Sequence, residues 1–297
     1  MQLNELLAKA QKLELKSRHL VQSHYAGLYR GAFKGLGMEF AEVREYCEGD
    51  DVRLIDWNVS ARSQSLFVKK MVEERDRNVL LLLDTSGSLR FGSVRRSKFD
   101  LLLELASIFV LSAFYAGDRV SLALVGARVD QFIRPAKGWN HCVRLIREMV
   151  SRRPAGRAAD LGSLWSFLNS PGVPRSLVLF LTDFEAPLAP SGPFAVAARK
   201  HEIVALLVSD PREWSLPDVG RVWLQHPETG EKRLIDTGRE SLRKAFEQSG
   251  RERRESLFRT LGFNDVDWTE FSTATDYEAS LRRFLEARTA KRGYRRR

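Results

Sequence analysis

Apolar residues in this chain fall into two kinds of run. Short runs at 79–83, 176–181 and 203–208 have strand length and are rich in Val, Ile and Leu, as strands covered on both faces are. A longer stretch, 97–115, spaces Phe99, Leu102, Leu103, Ala106, Phe109, Val110 and Ala113 at helical intervals. Leu101, Leu105 and Ile108 widen that stripe, so burial on more than one side is expected. Leu3, Leu6, Leu7, Leu13, Leu20 and Val21 stand among charges and predict helix over 2–30. Further helices are expected at 139–150, 194–200, 242–258 and 278–288. Strands are expected at 119–125 and 128–133, paired across Gly126-Ala127, and at 266–271. Strand and helix alternate from residue 78 onward, which is the order of a mostly parallel α/β sheet with right-handed crossovers.

Between the first helix and that sheet the pattern changes. Gly31-Ala32-Phe33-Lys34-Gly35-Leu36-Gly37 is too rich in glycine for a helix interior and reads as a flexible connection. It lacks the G-x-x-x-x-G-K-[ST] order of a phosphate loop, and no apolar strand precedes it. Alternation at 39–46 and in Leu66-Phe67-Val68-Lys69 predicts strands around a turn at Glu48-Gly49-Asp50. The expected organisation is a helical segment 1–30, a small β-containing accessory segment 31–77, an α/β domain 78–290 and a basic tail 291–297.

Two strand ends carry chemistry. The run at 79–83 stops at Asp84-Thr85-Ser86-Gly87-Ser88, and the run at 176–181 stops at Thr182-Asp183. Ligands of open α/β sheets bind at the carboxyl ends of strands. In D-x-S-x-S a carboxylate and two hydroxyls can converge on one side of a tight loop, and all three are oxygen ligands suited to Mg²⁺. The same residues are also ordinary loop and capping residues.

With 297 residues the chain can bury a substantial core. A net charge of +10 raises nucleic acid, anionic lipid or an acidic protein face as partners. Much of the excess sits at Arg251, Arg253, Arg254, Lys291, Arg292, Arg295, Arg296 and Arg297, with no zinc-finger spacing or aromatic RNA-binding signature beside it. A solvated tail is expected. The start is charged and helix-like, without a signal peptide's apolar core, and no run reaches the ~18 consecutive apolar residues of a membrane span. Cys47 and Cys142 outline no disulfide framework, so a reduced, cytoplasmic setting is expected.

A dense polar block holds Asp50, Asp51, Arg53, Asp56, Trp57 and Arg62. Its carboxylates and guanidinium groups can lock into an ion-pair network or stand as exposed loop charges. The interleaved Ile55, Trp57 and Val59 favour a structural network. The set Gly37-Met38-Glu39-Phe40, Arg44-Glu45-Tyr46, Gly49-Asp50-Asp51, Arg53, Ile55-Asp56-Trp57 and Ala61-Arg62, followed by the strand into Asp84-Thr85-Ser86, resembles the bacterial "domain of unknown function 58" family. Phe91-Gly92, Gly117-Asp118-Arg119, Asp210-Pro211-Arg212-Glu213, Leu216-Pro217 and Glu228-Thr229-Gly230-Glu231 extend the likeness.

The resemblance implies a von Willebrand factor A-like (Rossmann-like) fold and a non-enzymatic protein-binding module, of a type encoded beside MoxR-type AAA+ ATPases. It implies Mg²⁺ (or Mn²⁺) held by Asp84, Ser86 and Ser88 with Asp183 beside it, open to a carboxylate of the ATPase or its client. One loop departs from the family pattern Gly-Gly-Thr-Asp-Leu, reading Gly156-Arg157-Ala158-Ala159-Asp160-Leu161. Ala159 then stands where a threonine would ligate. Water, Asp160 or Ser163 must fill the position, or the site is weakened or empty, and Arg157 facing it would repel a cation.

Other chemistries fit less well. A haloacid-dehalogenase-type phosphatase needs D-x-D, where this chain has Ser86. A G-x-S-x-G elbow is missing its leading glycine. His141 beside Cys142 is the only tempting thiol–imidazole pair, and adjacent helical residues do not face each other. The alternatives to a binding module are a hydrolase using the cation as a Lewis acid and a basic nucleic-acid-binding protein.

Overall fold

The N-terminal helix runs further than its glycines suggest. In the computed structural model, which describes residues 3–33, 38–63, 65–73, 77–154 and 160–294, α1 (Leu3–Leu20) passes through a π-helical turn at Val21–Tyr25 into α2 (Ala26–Phe33). Gly31 therefore lies inside a helix and does not open a flexible connection. Packing decides it: Val21, Tyr25, Tyr29, Ala32 and Phe33 are buried in the main core, and the Phe33 ring meets Phe109 edge-on at 6.1 Å. Burial of such side chains outweighs the ~1 kcal/mol cost of a helical glycine. Residues 34–37 lie outside the described residues. The helical segment belongs to the same core as the α/β sheet.

β1 (Met38–Glu45) and β2 (Phe67–Glu73) form the expected antiparallel pair, with a 3₁₀ turn at Val52–Leu54 and a short helix α3 (Trp57–Ser60) between them. Among the described residues the block from Asp50 to Arg62 lies mostly at the surface. Asp51, Trp57 and Arg62 are exposed, and Asp50 and Asp56 are half-buried. Arg44 grips Asp50 with two hydrogen bonds of 2.8 and 2.6 Å. Asp56 caps α3, accepting from the N–H groups of Asn58 and Val59. The side chain of Arg53 lies outside the described residues. Trp57, 66% exposed, is no anchor; Ile55 and Ser60 turn inward instead.

The remaining elements follow in order: β3 (Asn78–Asp84), α4 (Lys98–Ala116), β4 (Arg119–Val125), β5 (Val129–Ala136), α5 (Trp139–Ser151), α6 (Leu161–Asn169), β6 (Leu177–Thr182), α7 (Pro193–Lys200), β7 (Glu202–Ser209), β8 (Arg221–Gln225), β9 (Lys232–Asp236), α8 (Glu240–Phe263), β10 (Asp267–Ser272) and α9 (Tyr277–Tyr294). The central sheet has the order β10-β7-β6-β3-β4-β5, parallel throughout except for the antiparallel edge strand β5. This is the doubly wound order, and its switch point lies between β3 and β6. Alternate residues of β3 serve the two faces: Val79, Leu81 and Leu83 join a core with α1, α2, α4, α5 and α9, while Leu80 and Leu82 join one with α6 and α7. α4 alone among the described helices has the length and hydropathy of a membrane span, and it is the buried core helix. Gly117, at φ +77°, ends it in the left-handed region.

α6 and the β8–β9 hairpin were not expected. The predicted tail is partly helix, since α9 continues to Tyr294 and Lys291 pairs with Asp267 at 2.6 Å.

Candidate functional site

The loop after β3 is shaped by its own hydroxyls. Thr85 donates to the Val125 carbonyl through both its N–H (2.7 Å) and its Oγ1 (3.0 Å), which fastens the loop to β4. The Ser86 N–H turns back to Asp84 Oδ1 at 2.8 Å. A 3₁₀ turn at Gly87–Arg90 then brings Ser88 Oγ within 3.0 Å of Ser86 Oγ. Asp84, Ser86 and Ser88 are all buried.

Across the switch point, Thr182 Oγ1 donates to Asp84 Oδ2 at 2.6 Å. The chain next bends through Phe184, whose φ of 51° is uncommon for a bulky residue. Its N–H donates to Thr182 Oγ1 at 3.0 Å and its ring packs on Phe180. This bend aims Asp183 at Lys98, whose Nζ donates to Asp183 Oδ2 at 2.7 Å and also to Glu213. Lys98 starts α4 and is fully buried. Glu213 is held by the capping box of Asp210-Pro211-Arg212-Glu213. Asp210 in turn accepts from the N–H (2.8 Å) and Oγ (2.5 Å) of Ser93 and from Thr273 Oγ1 (2.5 Å). Just before Ser93 the chain packs closely on the residues that open α4, since a Cβ at Gly92 would overlap the Arg96 carbonyl and the Ser97 backbone.

Electrostatics follow from this packing. Burial, and then the charge of Asp183, push the Asp84 carboxyl up to about 6 against the lowering effect of Thr182 and Ser86. Burial would lower the Lys98 pKa, but Asp183 and Glu213 raise it above the ordinary lysine value. Burial raises Glu213 despite Lys98. Burial would also raise Asp210, but the hydrogen bonds from Ser93 and Thr273 hold it below the usual carboxylate range. Lys98 thus serves two carboxylates, Asp183 and Glu213, while the charge of Asp183 bears on the buried Asp84.

The predicted ligands Asp84, Ser86, Ser88 and Asp183 are brought together. The first three fit a small oxygen-seeking cation: a carboxylate and two hydroxyls. Asp183 is committed to Lys98. Among the described residues no three His, Cys, Asp or Glu side chains are arranged to hold a metal, so a site here depends on the serines. Asp160 is tied to the same end of the sheet, its N–H donating to the Gly126 carbonyl at 3.3 Å. Its exposed carboxylate caps α6 through the Gly162 N–H at 3.0 Å. Ser163 lies half-buried in the first turn of α6. Gly156, Arg157, Ala158 and Ala159 lie outside the described residues.

Sequence reasoning missed Lys98, Glu213 and Thr182. Glu213 carries a readable signal, the capping-box spacing after Asp210. Lys98 carries none, since a lysine opening a helix reads as solvated. Elsewhere, His141 Nε2 bonds the Val120 carbonyl at 2.8 Å, and burial pushes the Cys142 thiol up to about 12. That pair is not a thiol–imidazole site.

The family description "Protein of unknown function DUF58" matches residues 42–256. The chain belongs to the DUF58 family. The uncharacterized protein Rv1480 of Mycobacterium tuberculosis is 30% identical over 286 residues, 96% of this chain and 90% of that protein. Uncharacterized protein YeaD of Bacillus subtilis is 28% identical over 110 residues, 37% of this chain and 25% of that protein. Among solved structures, this DUF58 chain is similar to the conserved hypothetical protein BatB from Bacteroides thetaiotaomicron (TM-score 0.43, 14% identity, 72% of this chain and 99% of that one). It is also similar to the SpRpn10 VWA domain (TM-score 0.38, 10% identity, 71% of this chain and 94% of that one).

Proposed function

We propose that this DUF58 protein is a non-enzymatic, cation-dependent protein-binding module, a cytoplasmic adaptor for a MoxR-type AAA+ ATPase or for the client such an ATPase remodels. The observation that carries the reading is the buried Asp84 carboxylate, pushed up to about 6, beside the Ser86 and Ser88 hydroxyls 3.0 Å apart. A bound Mg²⁺ (or Mn²⁺) supplies an open coordination position for a partner's carboxylate. The chain's own residues keep the donors in place. Thr182 and the Ser86 N–H hold the two Asp84 oxygens, and Thr85 pins the loop to β4. Lys98 fixes Asp183.

The same residues weigh against turnover. Lys98 is held as an ammonium, so it offers no neutral amine as a base. The two serines hydrogen-bond each other, and among the described residues no histidine bonds either one. Arg253 and Arg254 face Glu185 and Glu270, which weighs against a phosphate-binding surface.

The test is capture from native-host lysate on the tagged full chain, wild type and Asp84→Ala, in Mg²⁺ and in EDTA. The expected result is an ATPase of the MoxR type, or its client, retained by wild type in Mg²⁺ and lost in both other conditions. Equal retention in all of them would contradict the reading.

A further inference from the structure

β8 and β9 form a sheet of their own, and among the described residues no third strand pairs with either edge. Two hydrogen bonds of 2.8 Å, from the His226 N–H to the Glu231 carbonyl and from the Thr237 N–H to the Gly220 carbonyl, fix the phase of the ladder. Arg233 and Ile235 therefore bond to β8. The N–H and C=O groups of Lys232 and Leu234, and the N–H of Asp236, face away from it. The side chains of Lys232, Leu234 and Asp236 share one face of the hairpin, opposite Gln225, Trp223 and Arg221. Trp223 is 67% and Leu234 51% exposed, so an unburied apolar pair sits at the centre of this face. A two-stranded hairpin with such a face in water is marginal by itself.

We propose that the free edge of β9 pairs with the same edge of a second copy of this chain, antiparallel, with Leu234 on the two-fold axis. In that register the outward backbone groups meet: Leu234 exchanges two hydrogen bonds with Leu234 of the other copy, and Lys232 does so with Asp236. The Lys232 ammonium then stands opposite the Asp236 carboxylate, twice by symmetry. The Trp223–Leu234 pairs of the two hairpins join into one apolar row across four strands. Charges on an exposed edge ordinarily block such pairing. Here they are of opposite sign and equally spaced about Leu234, so a copy-to-copy contact brings them together as attractions. Sliding the register by two residues sets Leu234 against Lys232 or Asp236 and loses both the ion pairs and the row. Asp236 also accepts from the Gly238 N–H at 3.1 Å, which leaves acceptor sites for the lysine. The contact uses none of the residues of the Asp84 cluster and does not rest on a bound cation. The paired edge is small, so the dimer is expected to be weak, with a Kd on the order of 10–100 μM.

Sedimentation velocity of the full chain from about 1 to about 500 μM tests this, in ~0.15 M salt to screen the net charge of +10. A monomer–dimer equilibrium is expected. Leu234→Pro removes the central outward N–H and leaves the ladder to β8 intact. Lys232→Glu turns both ion pairs into repulsions. Each should weaken the dimer about tenfold or more. Cysteines placed on β9 test the register in a Cys47→Ser background, the remaining Cys142 being buried. Leu234→Cys puts two thiols on the axis at the ~5.5 Å Cα spacing that a disulfide accepts, whereas Arg233→Cys holds them more than ~7 Å apart. The first variant should cross-link to a dimer under mild oxidation and the second should not. A chain that stays monomeric at about 500 μM would overturn the proposal. So would a dimer that either Leu234→Pro or Lys232→Glu leaves unchanged, or cysteine variants that cross-link to the same extent.

Discussion

Lys98 Nζ lies 2.7 Å from Asp183 Oδ2, the ammonium without exposed surface and the carboxylate 3% exposed. An ammonium supplied by the chain thus takes up one of the two strand-end carboxylates at the switch point, and Asp84 is left as the negative group without a counter-charge of its own. Removing one partner of a buried pair leaves the other unpaired, which costs ~3–5 kcal/mol. Lys98→Met should destabilise the chain by about that much in urea denaturation. Adding Asp183→Asn and Glu213→Gln should recover most of the loss. A single-mutant cost under ~1 kcal/mol would mean the pair is not buried as described.

Asp84 makes stability and cation binding depend on pH in opposite senses. Its folded pKa of about 6 lies above its ordinary 3.8, so in EDTA its contribution to stability is full below pH ~4 and is lost as pH rises through about 6. The loss is of order 2–3 kcal/mol, and Asp84→Asn should remove it. Cation binding instead displaces the proton, so Mg²⁺ affinity should fall as pH drops below about 6. Denaturation in EDTA and titration with Mg²⁺, each at pH 5 and 7, check the two signs.

Arg288 ties the N-terminal helix to the opposite edge of the sheet. It donates from Nε to the Ala32 carbonyl at 3.1 Å, reaches Asp267 at 2.7 Å and pairs with Glu202. Its side chain is only 4% exposed. Arg288→Ala should cost ~3–5 kcal/mol and speed protease cleavage within residues 3–33. Cleavage at the wild-type rate would show that α1 and α2 are held by their apolar contacts alone.

Asp56 is a helix cap on a half-buried segment. Asp56→Ala should cost about 1 kcal/mol, the usual value for a lost N-cap. A loss of 3 kcal/mol or more in urea denaturation would restore the idea of a tightly coupled charge network.

The sheet strands were legible because β3, β6 and β7 are buried on both faces and read as unbroken apolar runs. The site was half legible. Asp84, Ser86 and Ser88 share one loop, so their spacing shows in the sequence. Lys98, Thr182 and Glu213 meet them only through the crossing of α4, β6 and the turn after β7, which no local pattern records. α6 could have been read from Asp160 as a cap followed by Leu161, Leu164, Trp165 and Leu168 at helical spacing. The continuation of α2 through Gly31 to Phe33 could not, because only the surrounding core outweighs the glycine.

Titration calorimetry of Mg²⁺ into the full chain and into Asp84→Ala at pH 7.5 addresses the central claim most directly. The account predicts saturable binding at one site in wild type, and no binding in a mutant that remains folded by circular dichroism. Equal heats and affinities for the two proteins would contradict it.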